Sequence, residues 1–212
     1  MRDVTELVDG YRQFIETRYG EQREIYRTLA EKGQSPNTMV ISCCDSRVDP
    51  TAIFNAGPGQ LFVVRNVANL VPPFDPKADH QGTGAALEFA VGGLNVSNIL
   101  VMGHGRCGGV RAYLDGVYNR PAQPGLIDRW MKLLDPAWAA ISEEAAKCSP
   151  EDMQRTLEHA SVRNSIENLK SFPFVRKRVE EGTLRLLGGY FDIADGRLMA
   201  LDPQTGRFEP IS

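Results

Sequence analysis

Long apolar runs are missing from this 212-residue chain, and nothing in it approaches the roughly 20 residues that a membrane-spanning helix needs. A basic excess is missing too. Lys and Arg number 24 against 27 Asp and Glu, for a formal net charge of −3, and they are scattered, which is not the footprint of a nucleic-acid binder. Arg2, Asp3 and Glu6 place charges where a secretory signal would have an apolar core, so a cytoplasmic protein is expected, with no membrane and no nucleic acid among its partners. No internal repeat or low-complexity segment is present. Histidine and cysteine are scarce, three and four, so their positions carry information.

What is present reads as alternating helices and strands. Val4, Leu7, Val8, Tyr11, Phe14 and Ile15 recur at helical intervals, and Ile25, Tyr26 and Leu29 resume the pattern beyond Gly20, which predicts two amphipathic helices. Short apolar runs at 38–42, 60–65 and 98–102 predict strands covered on both faces, as in parallel sheets. Helices are predicted at 85–91 and after Gly109, the latter carrying Val110, Tyr113 and Leu114. Residues 125–182 read as helical, interrupted at Pro136, Ser149-Pro150 and Pro173. The segments 184–192 and 197–201, around a turn at Ala194-Asp195-Gly196, predict a hairpin. The expectation is one α/β domain over 1–212, with a mostly parallel central sheet flanked by helices. Its parts are a helical arm (1–33), a metal-binding α/β core (34–119), a helical flank (120–182) and a closing carboxy-terminal β-hairpin (183–212).

Cys43-Cys44-Asp45-Ser46-Arg47 ends the first apolar run, and His104-Gly105-Arg106-Cys107 ends the third. Two strand ends can bring Cys43, His104 and Cys107 to one point. Two thiolates and an imidazole form a zinc set, and three protein ligands with one position left for water is the pattern of catalytic zinc. One Zn²⁺ per chain is expected. A structural site would want a fourth Cys or His, and His80, in a polar loop, and His159, in a polar helical stretch, are poorly placed to supply it. Asp45 has two readings: it fills the fourth metal position, or it pairs with Arg47 and accepts a hydrogen bond from a metal-activated water. The guanidinium fork, which orients a carboxylate and keeps it ionised, favours the second. Cys44, pointing away from Cys43 on a strand, is expected to be a buried apolar filler, and Cys148 a surface thiol. Gly103-His104-Gly105-Arg106-Cys107-Gly108 also satisfies GxGxxG. That fingerprint, however, demands an acidic residue about 20 residues on, at the end of the next strand, where this chain has 119–124 and then a helix with Trp130.

The CxDxR segment followed by HxxC resembles the beta-class carbonic anhydrases, and 62–69, 82–91 and 103–109 extend the resemblance. It is strong from 34 to 114. It implies a zinc lyase that reversibly hydrates CO₂ to bicarbonate, with Zn²⁺ on Cys43, His104 and Cys107 and with Asp45 and Arg47 as the catalytic dyad. It further implies a homodimer or higher even oligomer, joined by amino-terminal helices, with the site at the subunit interface. Gln34 matches a substrate-positioning glutamine of the plant-like type, contributed by the neighbouring subunit, and Phe62, Val67 and Phe89 match the apolar pocket wall. Gly108, at a helix start, offers an amide that favours negative charge. The family's other type has a tryptophan three residues before the first zinc cysteine, in an inhibitory bicarbonate site. Val40 stands there in this chain, which implies the open-site form. At this point a same-fold hydrolase of CS₂ or COS, and a non-enzymatic zinc-binding or redox-sensing protein, stand as alternatives.

Overall fold

The computed structural model describes residues 4–79, 81–118 and 125–211; His80 and the 119–124 stretch lie outside the described residues. Apolar, β-branched runs become strands β1 (Thr38–Cys43), β2 (Leu61–Asn66) and β3 (Asn98–His104), joined in parallel, and β4 (Arg185–Asp192) adds to β3 in parallel. Strands β5 (Arg197–Leu201) and β6 (Phe208–Pro210) continue antiparallel, giving the order β2-β1-β3-β4-β5-β6. Between the parallel strands lie α3 (Pro50–Ile53), α4 (Gly82–Glu88, running on as a π turn over Phe89–Gly93) and α5 (Gly108–Tyr118). The flank holds α6 (Leu126–Met131), α7 (Asp135–Ala139), α8 (Ser142–Ala145), α9 (Pro150–Ser171) and α10 (Pro173–Glu180). Among the described residues no helix is long and apolar enough to cross a membrane.

Two apolar clusters hold the layers together. In the first, Met39 and Ile41 of β1 and Ile99 and Val101 of β3 pack with Leu87 of α4 and with Val162, Ile166 and Leu169 of α9. In the second, at the carboxyl ends of the strands, Cys43 and Cys107 are buried with Val110, Leu114, Met131 and Leu157. Val110, Tyr113 and Leu114 are buried, as the α5 pattern predicts. The prolines of the flank start helices instead of interrupting them: Pro150 and Pro173 sit in the first turns of α9 and α10, and Ser149 accepts a hydrogen bond from the Asp152 amide as the α9 cap. A first-turn proline loses nothing, because its missing N–H would have no partner there.

The structure corrects several expectations. The arm is one continuous helical run, α1 (Val4–Phe14), a π turn (Ile15–Tyr19) and α2 (Gly20–Lys32), with Gly20 at helical φ −55. A glycine inside a helix costs about 1 kcal/mol relative to alanine and does not by itself end it. The extra residue of the π turn lets Phe14, Tyr19 and Tyr26 cluster, with ring centroids 5.2–6.2 Å apart. Among the described residues, none of the arm is buried. Strand β2 is a sheet edge and only half-buried in this chain, where a fully covered strand is expected. The closing hairpin gains a third strand, β6, too short and too proline-marked to show as alternation. Cys44 is exposed, not buried. The strand ends at Cys43, so the alternation that would turn Cys44 inward stops one residue too soon.

Candidate metal centre

Adjacent parallel strands deliver the first two ligands. Register pairs Ser42 with Met102, so the carboxyl ends of β1 and β3 lie side by side with Cys43 and His104 at their tips. The chain turns through Gly105 and Arg106, and Cys107 immediately precedes α5. Cys43 Sγ, a His104 ring nitrogen and Cys107 Sγ lie within 4.8 Å of one another, all buried. His104 Nδ1 lies 2.9 Å from the Gly105 carbonyl, a contact only a donating N–H satisfies, while the buried Nε2 has no hydrogen-bond partner. That assigns the tautomer and leaves the Nε2 lone pair for a metal.

The two thiols shift in opposite directions. Hydrogen bonding with Cys107 draws the Cys43 thiol well below its usual range, against burial, and the Ala68 amide helps at 3.4 Å. The same contact, together with burial, pushes Cys107 up. For His104 burial pulls the pKa down, but proximity to Cys43 carries it net upward. Two buried thiols that cannot both ionise unaided are a pair that a divalent cation would relieve.

Asp45 and Arg47 form the two-point contact that the spacing implies. Arg47 Nε donates to Asp45 Oδ1 at 2.9 Å and a terminal nitrogen to Oδ2 at 2.7 Å, and the Arg47 backbone N–H adds a bond to Oδ1 at 3.0 Å. The Arg47 hydrogen bonds hold the Asp45 carboxyl far below the usual carboxylate range.

Residues that the sequence reading passed over complete the loop. Arg65, on β2, donates to the Cys43 carbonyl at 2.9 Å, to the Asp45 carbonyl at 2.7 Å and to Asp49 Oδ2 at 2.9 Å. An arginine closing an apolar strand was a visible signal. The Asn66 side chain exchanges two 2.8 Å bonds with the Leu70 backbone, closing a turn in which Ala68 and Asn69 take positive φ. This turn aims the Ala68 amide at Cys43. A Cβ on Gly109 would come within 2.8 Å of Val67 Cγ1, so only glycine lets α5 start this close. Glu158 and Gln154 of α9 reach the Cys107 backbone, and nothing in their polar surroundings marks them out.

Val67 and Gly108 thus lie beside the metal-binding group. Phe62, Phe89 and Gln34 do not. Phe62 and Phe89 pack with ring centroids 5.8 Å apart and ring planes tilted by 37°, and Phe89 and Gln34 line a shared groove beside α2. Phe62 pairs with Met39, four residues before Cys43 on the strand, which places it about 13 Å from that end of the sheet at the usual strand rise.

Fold and site together define an α/β protein whose adjacent parallel strand ends gather a Cys-His-Cys metal-binding group beside an arginine-held carboxylate. Comparison with known proteins agrees and narrows the class. Residues 38–198 match the family model for carbonic anhydrase. "Beta carbonic anhydrase 3" of Arabidopsis thaliana is 39% identical over 205 residues, 95% of this chain and 79% of that protein. The structure of the beta-carbonic anhydrase CcaA superposes with a TM-score of 0.91 at 29% identity, covering 99% of this chain and 92% of the other. A structure described among two tetrameric beta-carbonic anhydrases of Sordaria macrospora gives 0.83 at 29% identity, covering 93% and 96%. The chain belongs to the beta carbonic anhydrases and is an enzyme of that family.

Proposed function

We propose that this chain reversibly hydrates CO₂ to bicarbonate and a proton, with one Zn²⁺ held by Cys43, His104 and Cys107. The observation that carries the reading is the convergence of three ligand atoms within 4.8 Å beside a carboxylate gripped at two points by arginine. The donor set fits the ion: two thiolates balance its charge, and sulfur with imidazole nitrogen suits zinc. Bound there, Zn²⁺ supplies the acidity that makes water a nucleophile near neutral pH.

The remaining work falls to the chain. Asp45 Oδ1 accepts two hydrogen bonds from Arg47 and Oδ2 accepts one, so an Oδ2 lone pair is left to accept from the reacting water and orient it. Arg47 keeps Asp45 ionised and turned toward itself, and Val40, fully buried in β1, leaves no tryptophan to support an inhibitory bicarbonate site. Both favour an open site at neutral pH. Gly108 opens an 11-residue helix whose positive end favours the charge that develops on the product.

Gln34, Phe62 and Phe89 are too far from their own chain's metal group to wall it, which supports a site completed by a second copy. The arm supports the same assembly. Leu7 (66% exposed), Tyr11 (62%) and Ile25 (49%) form an apolar face left uncovered by this chain, as a homodimer or higher even oligomer requires. Stopped-flow CO₂ hydration tests the function: protein carrying one zinc per chain is expected to accelerate hydration, and full zinc without acceleration overturns the proposal.

A further inference from the structure

The segment from His104 to Cys107 is a strained turn between two walls. Arg106 holds φ +55, a left-handed conformation that costs a side chain about 1–2 kcal/mol and persists only where the surroundings over-determine it. One wall is β4, where the Phe191 carbonyl accepts the Gly105 N–H at 3.0 Å. The other is α9, where Gln154 and Glu158 stand one helical turn apart, facing the loop.

Glu158 is 3% exposed, a depth at which a carboxylate is rare without dedicated partners. Its partners converge on Cys107. Oε1 accepts the Cys107 N–H at 2.8 Å and Gln154 Nε2 at 2.9 Å, and Oε2 accepts the Tyr190 hydroxyl at 2.7 Å. Gln154 Nε2 also reaches the Cys107 carbonyl at 3.2 Å. The backbone of one ligand is therefore gripped at both its N–H and its C=O by a single helix, which β4 braces through Tyr190. Packing of α9 on the sheet does not need this. Val162, Ile166 and Leu169 supply the apolar contact, and the burial of Glu158 is offset by hydrogen bonds, one of which goes to the Cys107 backbone.

We propose that Glu158, with Gln154, is a positioning residue for Cys107: it sets where the Cys107 thiolate points and so how tightly the Cys-His-Cys group binds zinc. The inference rests on the zinc reading above. Outer-sphere partners of metal ligands typically contribute about 10- to 100-fold in affinity, and this one acts through backbone hydrogen bonds.

The test compares wild type, Glu158→Ala, Glu158→Gln, Gln154→Met and Val162→Ala as apoproteins. Zinc affinity is measured by competition with a chromophoric chelator, and ligand geometry by the visible spectrum of the Co²⁺ forms. A cavity of about 220 Å³ adjoins Glu158, so water can fill the space left by Glu158→Ala. That variant is expected to bind zinc about 10- to 100-fold more weakly, with shifted cobalt bands. Glu158→Gln recovers most of the affinity, since its amide oxygen still accepts from Cys107 and its NH₂ can donate to the Tyr190 oxygen. Gln154→Met, at a half-buried position, keeps the test open if Glu158→Ala does not fold, and is expected to weaken zinc several-fold. Val162→Ala weakens the same helix–sheet packing, so it lowers the melting temperature of the protein and leaves zinc affinity unchanged. Unchanged zinc affinity in Glu158→Ala, or in Gln154→Met should the former not fold, overturns the assignment. So does an equal loss in Val162→Ala. A wild-type protein that takes up no zinc instead overturns the underlying metal reading.

Discussion

Arg65→Met isolates the half of the centre that α9 does not touch. The methionine keeps most of the stem and removes three hydrogen bonds, to the Cys43 carbonyl, the Asp45 carbonyl and Asp49. A hydrogen bond to a charged group contributes about 1.5–3 kcal/mol in full. The Arg65 side chain is 27% exposed, so water compensates in part, and about 1 kcal/mol for each carbonyl is a fair allowance. The Asp49 partner is 43% exposed, and such a pair adds less than about 1 kcal/mol. The sum is about 2–3 kcal/mol, or about 5–10 °C in melting temperature for a chain of this size. Because the lost bonds fix the Cys43 and Asp45 peptides, zinc affinity should fall by about tenfold as well. Calorimetry and chelator competition read the two effects. Arg65→Lys, whose single ammonium reaches one of three acceptors, should restore less than half of the stability. A methionine variant that melts within a degree of wild type and binds zinc equally well would refute the bracing role.

The other expectations are more direct. Cys43→Ser, His104→Ala and Cys107→Ala should each emerge from desalting without stoichiometric zinc, while Cys44→Ser keeps it because Cys44 is exposed outside the ligand group; full metal in Cys107→Ala would contradict the ligand assignment. Leu7→Asp with Tyr11→Glu should give monomers in sedimentation velocity with little CO₂ hydration, and a fully active monomer would dismiss the shared site. Burial, then Arg163 and Arg155, lowers the His159 pKa from 6.5 to about 4. Since the unfolded chain binds the extra proton first, stability should fall as pH drops from 6.5 toward 4, by about 3 kcal/mol at most. Urea titrations at several pH values should show a shallower slope for His159→Phe, and an unchanged slope would reject the burial argument. Asp45, held far below the carboxylate range by Arg47, gives stability that is present above the ordinary carboxylate pKa and lost only in strong acid. Its ionisation should leave no inflection in activity between pH 5 and 9, and Asp45→Asn should reduce kcat by about 100-fold; an Asp45-dependent inflection near neutrality would show the carboxylate leaving Arg47 for the metal.

The sequence by itself determined whatever depends on neighbours along the chain. Two apolar runs ending in CxDxR and HxxC had to become strands, and strands of one parallel sheet had to present Cys43 and His104 at the same edge. Asp45 and Arg47, two residues apart, were within reach of each other, and the guanidinium fork favoured the pairing that the structure shows. Periodicity likewise announced α5 through Val110, Tyr113 and Leu114. Tertiary structure decided what depends on how elements cross. Glu158 sits in an ordinary polar helix stretch, and only the path of α9 over β3 and β4 turns it toward Cys107. Arg65 became a brace because β2 lies beside β1 in a register that brings its side chain to the Cys43 and Asp45 carbonyls. Cys44 is exposed because the strand stops at Cys43, and Gly20 stays helical because a glycine's weak local propensity does not by itself end a helix. Spacing along the chain fixes which groups can meet, whereas the faces that helices and strand edges turn toward one another fix which groups hold them there. Those faces are set by contacts between residues far apart in the sequence.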